Sequence, residues 1–158
     1  MQFSAVQAQN QQASTNSQEV NLTFEINDVK DFLNEGWIRG SEMVHCRGLR
    51  FGVDLKVSYF NSVKHLSAFL HMPWDQDDYR YRLKTSYDIT LVNLLGKGDK
   101  TDHSDHTFGP GNTNIYGNKA FIPLTQLIDP SNGWVVNDSL QVKLHLKCGQ
   151  LYRALRQY

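Results

Sequence analysis

Residues 108–122 read Phe-Gly-Pro-Gly-Asn-Thr-Asn-Ile-Tyr-Gly-Asn-Lys-Ala-Phe-Ile, and residues 129–138 read Asp-Pro-Ser-Asn-Gly-Trp-Val-Val-Asn-Asp. The first stretch combines an aromatic residue, a Gly/Asn-rich loop and an aromatic-glycine step at Tyr116-Gly117, and the second opens on an acidic Asp-Pro turn. Gly and Asn accept positive φ and Pro fixes φ, so both clusters mark chain reversals. Reversals of this kind between apolar runs favour antiparallel strands.

On both sides of these stretches, apolar residues recur at every second position. This is the period of a strand with one buried face, and it predicts a mostly β domain. The runs are Leu22, Phe24, Ile26; Phe51, Val53, Leu55, Val57; Tyr79, Tyr81, Leu83, Tyr87, Ile89, Leu91; and Leu140, Val142, Leu144, Leu146.

Helical signals are few and short. Asp28 is placed to cap a turn through residues 30–33, and residues 62–70 fit either a helix or a strand. Leu151, Tyr152 and Leu155 have helical spacing, but a helix of this length is marginal without docking. We therefore predict a tail or short helix over residues 149–158.

Length, charge and cysteine content limit the class of protein. The 158 residues suit one domain, and 16 basic side chains balance 16 acidic ones, which disfavours nucleic-acid binding. There is no run of 18 apolar residues, so no membrane partner is predicted. The two cysteines, Cys46 and Cys148, predict reduced thiols and a cytoplasmic or nuclear location.

Residues 1–19 are polar and are predicted to be a disordered tail before a domain at 20–148.

Several segments resemble, in order, the motifs of the MATH (meprin and TRAF homology) family. They are Phe24-x-Ile26 with Val29-x-x-Phe32, Ser41 with Arg47-Gly-Leu-Arg-Phe51, His65-Leu-Ser-Ala-Phe-Leu70, Ile89-Thr-Leu-Val-Asn93, and the two stretches quoted first. Phe51 stands where the family usually has Trp. The resemblance covers nearly all of residues 20–148 and implies an all-β antiparallel sandwich of about eight strands with little helix.

The resemblance also implies capture of a short extended peptide in a shallow groove, with no catalysis and no cofactor. Matched to the family's motifs, the predicted peptide-binding residues are Phe69, Tyr87, Phe108, Asn114, Ile115, Tyr116 and Asn118. Well-known members read Asp-Trp-Gly-Phe where this chain reads Ile-Tyr-Gly-Asn at 115–118, so no known peptide consensus transfers. Rigid aromatic side chains suit such a groove because they supply contact area at low entropic cost.

Alternation in the strands leaves other interpretations open for these side chains. Tyr87 shares its phase with Ile89 and belongs either to the core or to the groove, and the same holds for Phe69. Of the two Phe residues that flank the Gly/Asn loop, we expect Phe121 to pack inward and Phe108 to face the groove.

Residues 102–106, Asp-His-Ser-Asp-His, are rich in metal-ligating side chains. They fall in a predicted hairpin tip, where holding ligands rigidly is difficult, so we predict a solvated loop and no metal site.

The sequence as a whole predicts a protein-interaction module that binds a short linear motif of another protein. The spacing from Arg47 to Phe51 resembles the MATH domains of ubiquitin-specific proteases, which implies a ubiquitin-related role. The alternative is a self-association module without a foreign peptide. Residues 1–19 show no heptad repeat, so a monomer or weak oligomer is expected.

Overall fold

The computed structural model describes residues 3–14, 17–73 and 81–153, which form ten strands and two short helices. Two of the strands have only two or three residues, so the prediction of an all-β sandwich of about eight strands with little helix is confirmed. The strands are β1 (Phe3–Ser14), β2 (Ser17–Ile26), β3 (Arg39–Gly40), β4 (Val44–Cys46), β5 (Leu49–Phe60), β6 (Val63–His71), β7 (Tyr81–Leu91), β8 (Lys100–Phe108), β9 (Ile115–Pro123) and β10 (Leu140–Arg153). The helices are α1 (Val29–Glu35) and α2 (Leu124–Ile128), and no helix among the described residues is long and apolar enough to cross a bilayer.

Two antiparallel sheets make up the sandwich. One has the strand order β1-β2-β10-β7-β8, and the other has the order β3-β5-β6-β9, with β4 also paired to β5. The strands β8 and β9 each end their own sheet in the part of the chain that the structure describes, so their outer edges have no strand partner there. These two edges border the same side of the sandwich, as contacts between β8 and β9 show.

The core lies between the sheets and follows the alternation of the sequence. Phe24, Phe51, Leu91 and Leu144 are at most 1% exposed, while their neighbours along each strand face outward. One fully buried Leu or Phe side chain contributes roughly 1.5–3 kcal/mol, and a shift of register by one residue would expose the whole set. Phe51, which stands where the family usually has Trp, packs edge-to-face on Phe108 at 5.4 Å between ring centroids.

At both ends the strands extend further than the sequence predicted. Residues 1–19 were predicted to be a disordered tail, whereas β1 spans Phe3–Ser14 and β2 begins at Ser17. A strand paired along a sheet edge needs backbone hydrogen bonds rather than an apolar face, so polar composition does not exclude it. At the other end, β10 continues through Arg153, where a tail or short helix was predicted over residues 149–158. Residues 154–158 lie outside the described residues.

The two remaining helical signals had different outcomes. Residues 63–71 form strand β6, which settles the alternative left open by the sequence. Helix α1 forms as expected after Asp28, but the Asp28 side chain makes no capping hydrogen bond. The Asp138 carboxylate instead accepts from the Lys30 amide at 2.9 Å, and the Asp138 carbonyl accepts from the Val29 amide at 3.1 Å. The capping group therefore comes from a turn about a hundred residues away in sequence.

Candidate functional site

The candidate site is the open side of the sandwich between the outer edges of β8 and β9, here called the β8/β9 cleft. A bulge in β9 shapes one wall: Leu66 pairs with Ile122, but Ala68 pairs with Asn118, so β9 has three residues where β6 has one. The Ser67 hydroxyl donates to the Lys119 carbonyl at 2.6 Å, and the Asn118 side chain accepts from the Ala120 amide at 2.9 Å. These bonds hold the bulge, and bulges of this kind re-aim side chains near binding sites.

Gly117 allows β9 to lie close to β6. A Cβ at this position would lie 2.2 Å from the Ala68 carbonyl oxygen and 2.7 Å from the Phe69 Cα. Only glycine fits this approach, which explains the aromatic-glycine step in the sequence.

An aromatic stack joins β8 to β9 at this site. The Tyr116 ring, 42% exposed, stacks face to face on the His106 imidazole, with 4.3 Å between centroids and 7° between planes. The His106 ring in turn meets the buried Phe108 ring edge-on at 4.6 Å. Nε2 of His106 lies 3.0 Å from the Thr113 carbonyl, which only accepts, so this nitrogen carries a proton and donates.

Tyr87 supports the stack from below. Its side chain is only 2% exposed, and its hydroxyl donates to the Tyr116 carbonyl at 2.6 Å. Burial raises the pKa of this hydroxyl well above its ordinary value, so it stays protonated and remains a donor. Tyr87 thus joins the core to the backbone of β9.

The structure divides the sequence-predicted residues between two faces of the second sheet. Tyr116 and Asn118 lie opposite buried Leu70 and Ala68, so they share the face that is turned toward the other sheet. Phe69 lies opposite Gly117, and Ile115 lies opposite His71 on the outer face; both are half-buried. The two faces meet at the edge of β9, where an added strand would contact both.

Two of the predicted site residues, Phe108 and Asn114, make contacts inside the domain instead of lining an open surface. Phe108 is fully buried, where the sequence analysis expected it to face the groove, so it supports His106 and offers no surface of its own. The reason is alternation: Phe108 ends β8 on the inward phase, below Phe51. Phe121 packs inward as expected, at 4% exposure. Asn114 exchanges two hydrogen bonds with Met72, through its backbone carbonyl at 2.8 Å and its side-chain amide at 3.1 Å, and so anchors the loop before β9.

Sequence reasoning missed His106. Residues 102–106 were predicted to be a solvated loop, but they lie in strand β8, where successive side chains alternate between faces. His106 shares its face with Phe108 and reaches the cleft, whereas His103 and Asp105 face outward. Side chains two residues apart on a strand share a face, so an inward Phe108 would have predicted that His106 also points inward.

The outward residues of β8 take part in a row of histidine–carboxylate contacts across the outer face of the first sheet. His103 Nδ1 lies 2.6 Å from an Asp88 oxygen and His103 Nε2 lies 3.5 Å from Asp105, while His145 lies 3.7 Å from Asp88 and 3.6 Å from Glu19. The hydrogen bond with Asp88 raises the pKa of His103. No group of His, Cys, Asp and Glu among the described residues has the arrangement of a metal site.

The fold is an antiparallel β-sandwich with an open edge at β9 and an exposed aromatic, Tyr116, beside it. A family model, MATH domain, matches residues 2–148. The chain therefore belongs to the MATH domain family, whose members are generally protein-interaction modules. The match begins well before residue 20, where the sequence analysis had placed the start of the domain. No curated protein matches the chain.

Proposed function

We propose that this chain captures a short, extended peptide segment of a partner protein in the β8/β9 cleft. The observation behind this is the Tyr116–His106 stack beside a β9 edge that has no strand partner among the described residues. A peptide added along such an edge gains backbone hydrogen bonds that are independent of its sequence, and pockets for alternate side chains then provide discrimination.

The stack sets the chemistry of the preferred peptide. The exposed Tyr116 face offers contact to an aliphatic or aromatic side chain, and the Tyr116 hydroxyl and Asn118 amide offer polar partners. The cleft residues Tyr116, His106 and Asn118 have no fixed charge when His106 is neutral, so a peptide does not need a strong charge to bind there. We expect affinity in the micromolar range, about −8 kcal/mol, for a short peptide bound in this way.

The biological setting that we propose is recruitment of partners or substrates in a ubiquitin-related pathway, in the cytoplasm or nucleus. Its support is the resemblance of residues 47–51 and of the Asp129-Pro130 turn to the MATH domains of ubiquitin-specific proteases. We propose that this chain provides recognition and no catalysis.

The test is selection of nine-residue peptides from a random display library, followed by NMR titration of the labelled protein with the selected peptides. We expect shifts confined to residues 66–71, 84–88 and 104–120. Tyr116→Ala should weaken binding by roughly 2 kcal/mol, about thirtyfold, because it removes the central aromatic anchor.

The matched control is Tyr152→Ala, which removes a similarly exposed tyrosine, 52% exposed, on β10, which β7 separates from the edge strand β8. Equal losses from Tyr116→Ala and Tyr152→Ala would contradict the proposal. If no peptide is selected and light scattering shows a stable oligomer, the self-association module is the correct interpretation.

A further inference from the structure

A second concave surface lies at the opposite end of β9, between the two helices. Its floor consists of Val29, Leu33, Leu124, Ile128, Pro130 and Val135, and its volume is about 450 Å³. Lys30 and Lys64 lie at its rim, and we call it the lysine-rimmed groove. Tyr116 and the β8/β9 cleft lie near the start of β9, whereas this groove begins just after Pro123, where β9 ends.

The walls of the lysine-rimmed groove are held in place by hydrogen bonds. On one side, Asp138 accepts from the first amides of α1, as described above. On the other side, the Asn132 side chain donates to the Gln126 carbonyl at 2.9 Å, and Leu127 anchors α2 because its side chain is fully buried. A groove that is already formed binds with a smaller cost of ordering than one made by flexible loops.

Apolar surface remains open in this groove. Ile128 is 57% exposed, although it is a large aliphatic side chain, and Leu33 and Leu124 are only partly buried. Single exposed apolar residues are ordinary, but several that line one concave surface mark an interaction site.

The charge at the rim is positive. Lys30 and Lys64 are exposed, and both line the groove. Asp138 is the only carboxylate among the described lining residues, and one of its oxygens already accepts from the Lys30 amide. An acidic ligand would therefore meet two lysines and one carboxylate that is already hydrogen-bonded.

We propose that the lysine-rimmed groove binds an acidic peptide segment of a partner protein. One aliphatic or aromatic side chain of the peptide fills the apolar floor, and carboxylates on either side of it pair with Lys30 and Lys64. This site is separate from the β8/β9 cleft, so the chain would hold a partner at two points, and the combined affinity would exceed either one.

The test uses a fluorescein-labelled peptide, Gly-Ser-Glu-Asp-Phe-Asp-Glu-Ser-Gly, titrated with the full chain at low salt. We expect saturable binding with NMR shifts at residues 29–34 and 124–138, and weaker binding as salt screens the charges. The double variant Lys30→Glu, Lys64→Glu should weaken binding by about tenfold or more, since it replaces two attractive charges with repulsive ones. Both lysines are exposed, so the variant keeps its fold, which its NMR spectrum checks.

Three comparisons make the result specific. Lys143→Glu, an exposed lysine on the outer face of the other sheet, should leave binding unchanged. A peptide with Asn and Gln in place of Asp and Glu, and one with Ala in place of Phe, should each bind at least about tenfold more weakly. Tyr116→Ala should have no effect, because it alters only the β8/β9 cleft.

Several results would overturn the proposal. They are no saturable binding, equal binding of the neutral peptide, or an equal loss with Lys143→Glu. Loss of binding in Tyr116→Ala would place the peptide in the β8/β9 cleft instead. A concentration-dependent dimer that shifts residues 29–34 without peptide would show that a second copy of this chain covers the groove.

Discussion

At the scale of single residues, contacts that the sequence does not show decide which side chain is tolerated. Gly117 is necessary because β9 lies against the Ala68 carbonyl, and Phe108 is part of the core because its phase in β8 points inward. His106 lies between Phe108 and Tyr116 and connects the buried ring to the exposed one.

Gly117→Ala should destabilise the fold by roughly 2–4 kcal/mol, because its methyl group would overlap the backbone of β6 and force the strands apart. Urea unfolding measures this change. The matched control is Gly149→Ala, where the nearest atom to an added Cβ is 3.5 Å away, and a loss below about 1 kcal/mol is expected. Similar losses for the two variants would show that the close approach at Gly117 is not the cause.

Asp88→Asn should lower the pKa of His103 toward the ordinary histidine value of 6.5, since it removes the hydrogen-bonded carboxylate that raises this pKa. NMR titration of the His103 ring protons measures it. Asp105→Asn should change the pKa less, because its oxygen is 3.5 Å from the ring rather than 2.6 Å. A larger effect from Asp105→Asn would contradict this assignment.

The same shift fixes the sign of the pH dependence of stability. The folded-state pKa of His103 is raised, so the stabilisation from this pair is present below about pH 6.5 and is lost as the pH rises through the raised value. Both side chains are substantially exposed, so the effect on the free energy of unfolding is small.

At the scale of elements, contacts distant in sequence determine where helices and strands begin. Helix α1 has only seven residues, and its first amides depend on Asp138 in the turn before β10. Asn137 and Asp138 both have left-handed backbones, with φ of 52° and 58°, a conformation that Asn and Asp tolerate better than most residues.

Asp138→Ala should cost about 1–2 kcal/mol of stability, because α1 loses its capping acceptor and alanine is strained at this φ. Asp138→Asn keeps an acceptor oxygen and should cost far less. Asp28→Asn is the matched control, since the Asp28 side chain makes no capping bond, and it should leave the free energy of unfolding nearly unchanged. If Asp28→Asn destabilises as much as Asp138→Ala, the neighbouring Asp28 side chain, and not Asp138, caps α1.

At the scale of the whole molecule, two buried cysteines lie where the sheets meet. Cys46 is in β4, which pairs with the second sheet, and Cys148 is in β10 of the first sheet. The Cys46 thiol lies 3.6 Å from the Gln18 carbonyl, and Gln18 pairs with Cys148 across the β2–β10 ladder. Burial raises the pKa of the Cys148 thiol far above its ordinary value, and its hydrogen bond with Cys46 raises it further.

Both thiols should react slowly with a disulfide reagent at pH 8, because both side chains are buried and because the raised pKa of Cys148 makes its reactive thiolate scarce. We expect labelling in the native state to be at least about a hundredfold slower than in denaturant, since it requires opening of the sandwich. Time-resolved mass spectrometry measures both rates. Rapid labelling of Cys148 under native conditions would contradict the packing of β4 against β10.

The sequence by itself determined the fold class and the main strands, because a strand with one buried face has a period of two, as in Leu140–Leu146. It also located the turn and aromatic-glycine step that form one wall of the cleft. Only the tertiary structure decided that β1 pairs with β2, that Asp138 caps α1, and that His106 rather than Phe108 meets Tyr116. The physical reason is that local patterns record which face of an element is apolar. They do not record which distant backbone or ring will pack against that face once the sheets come together.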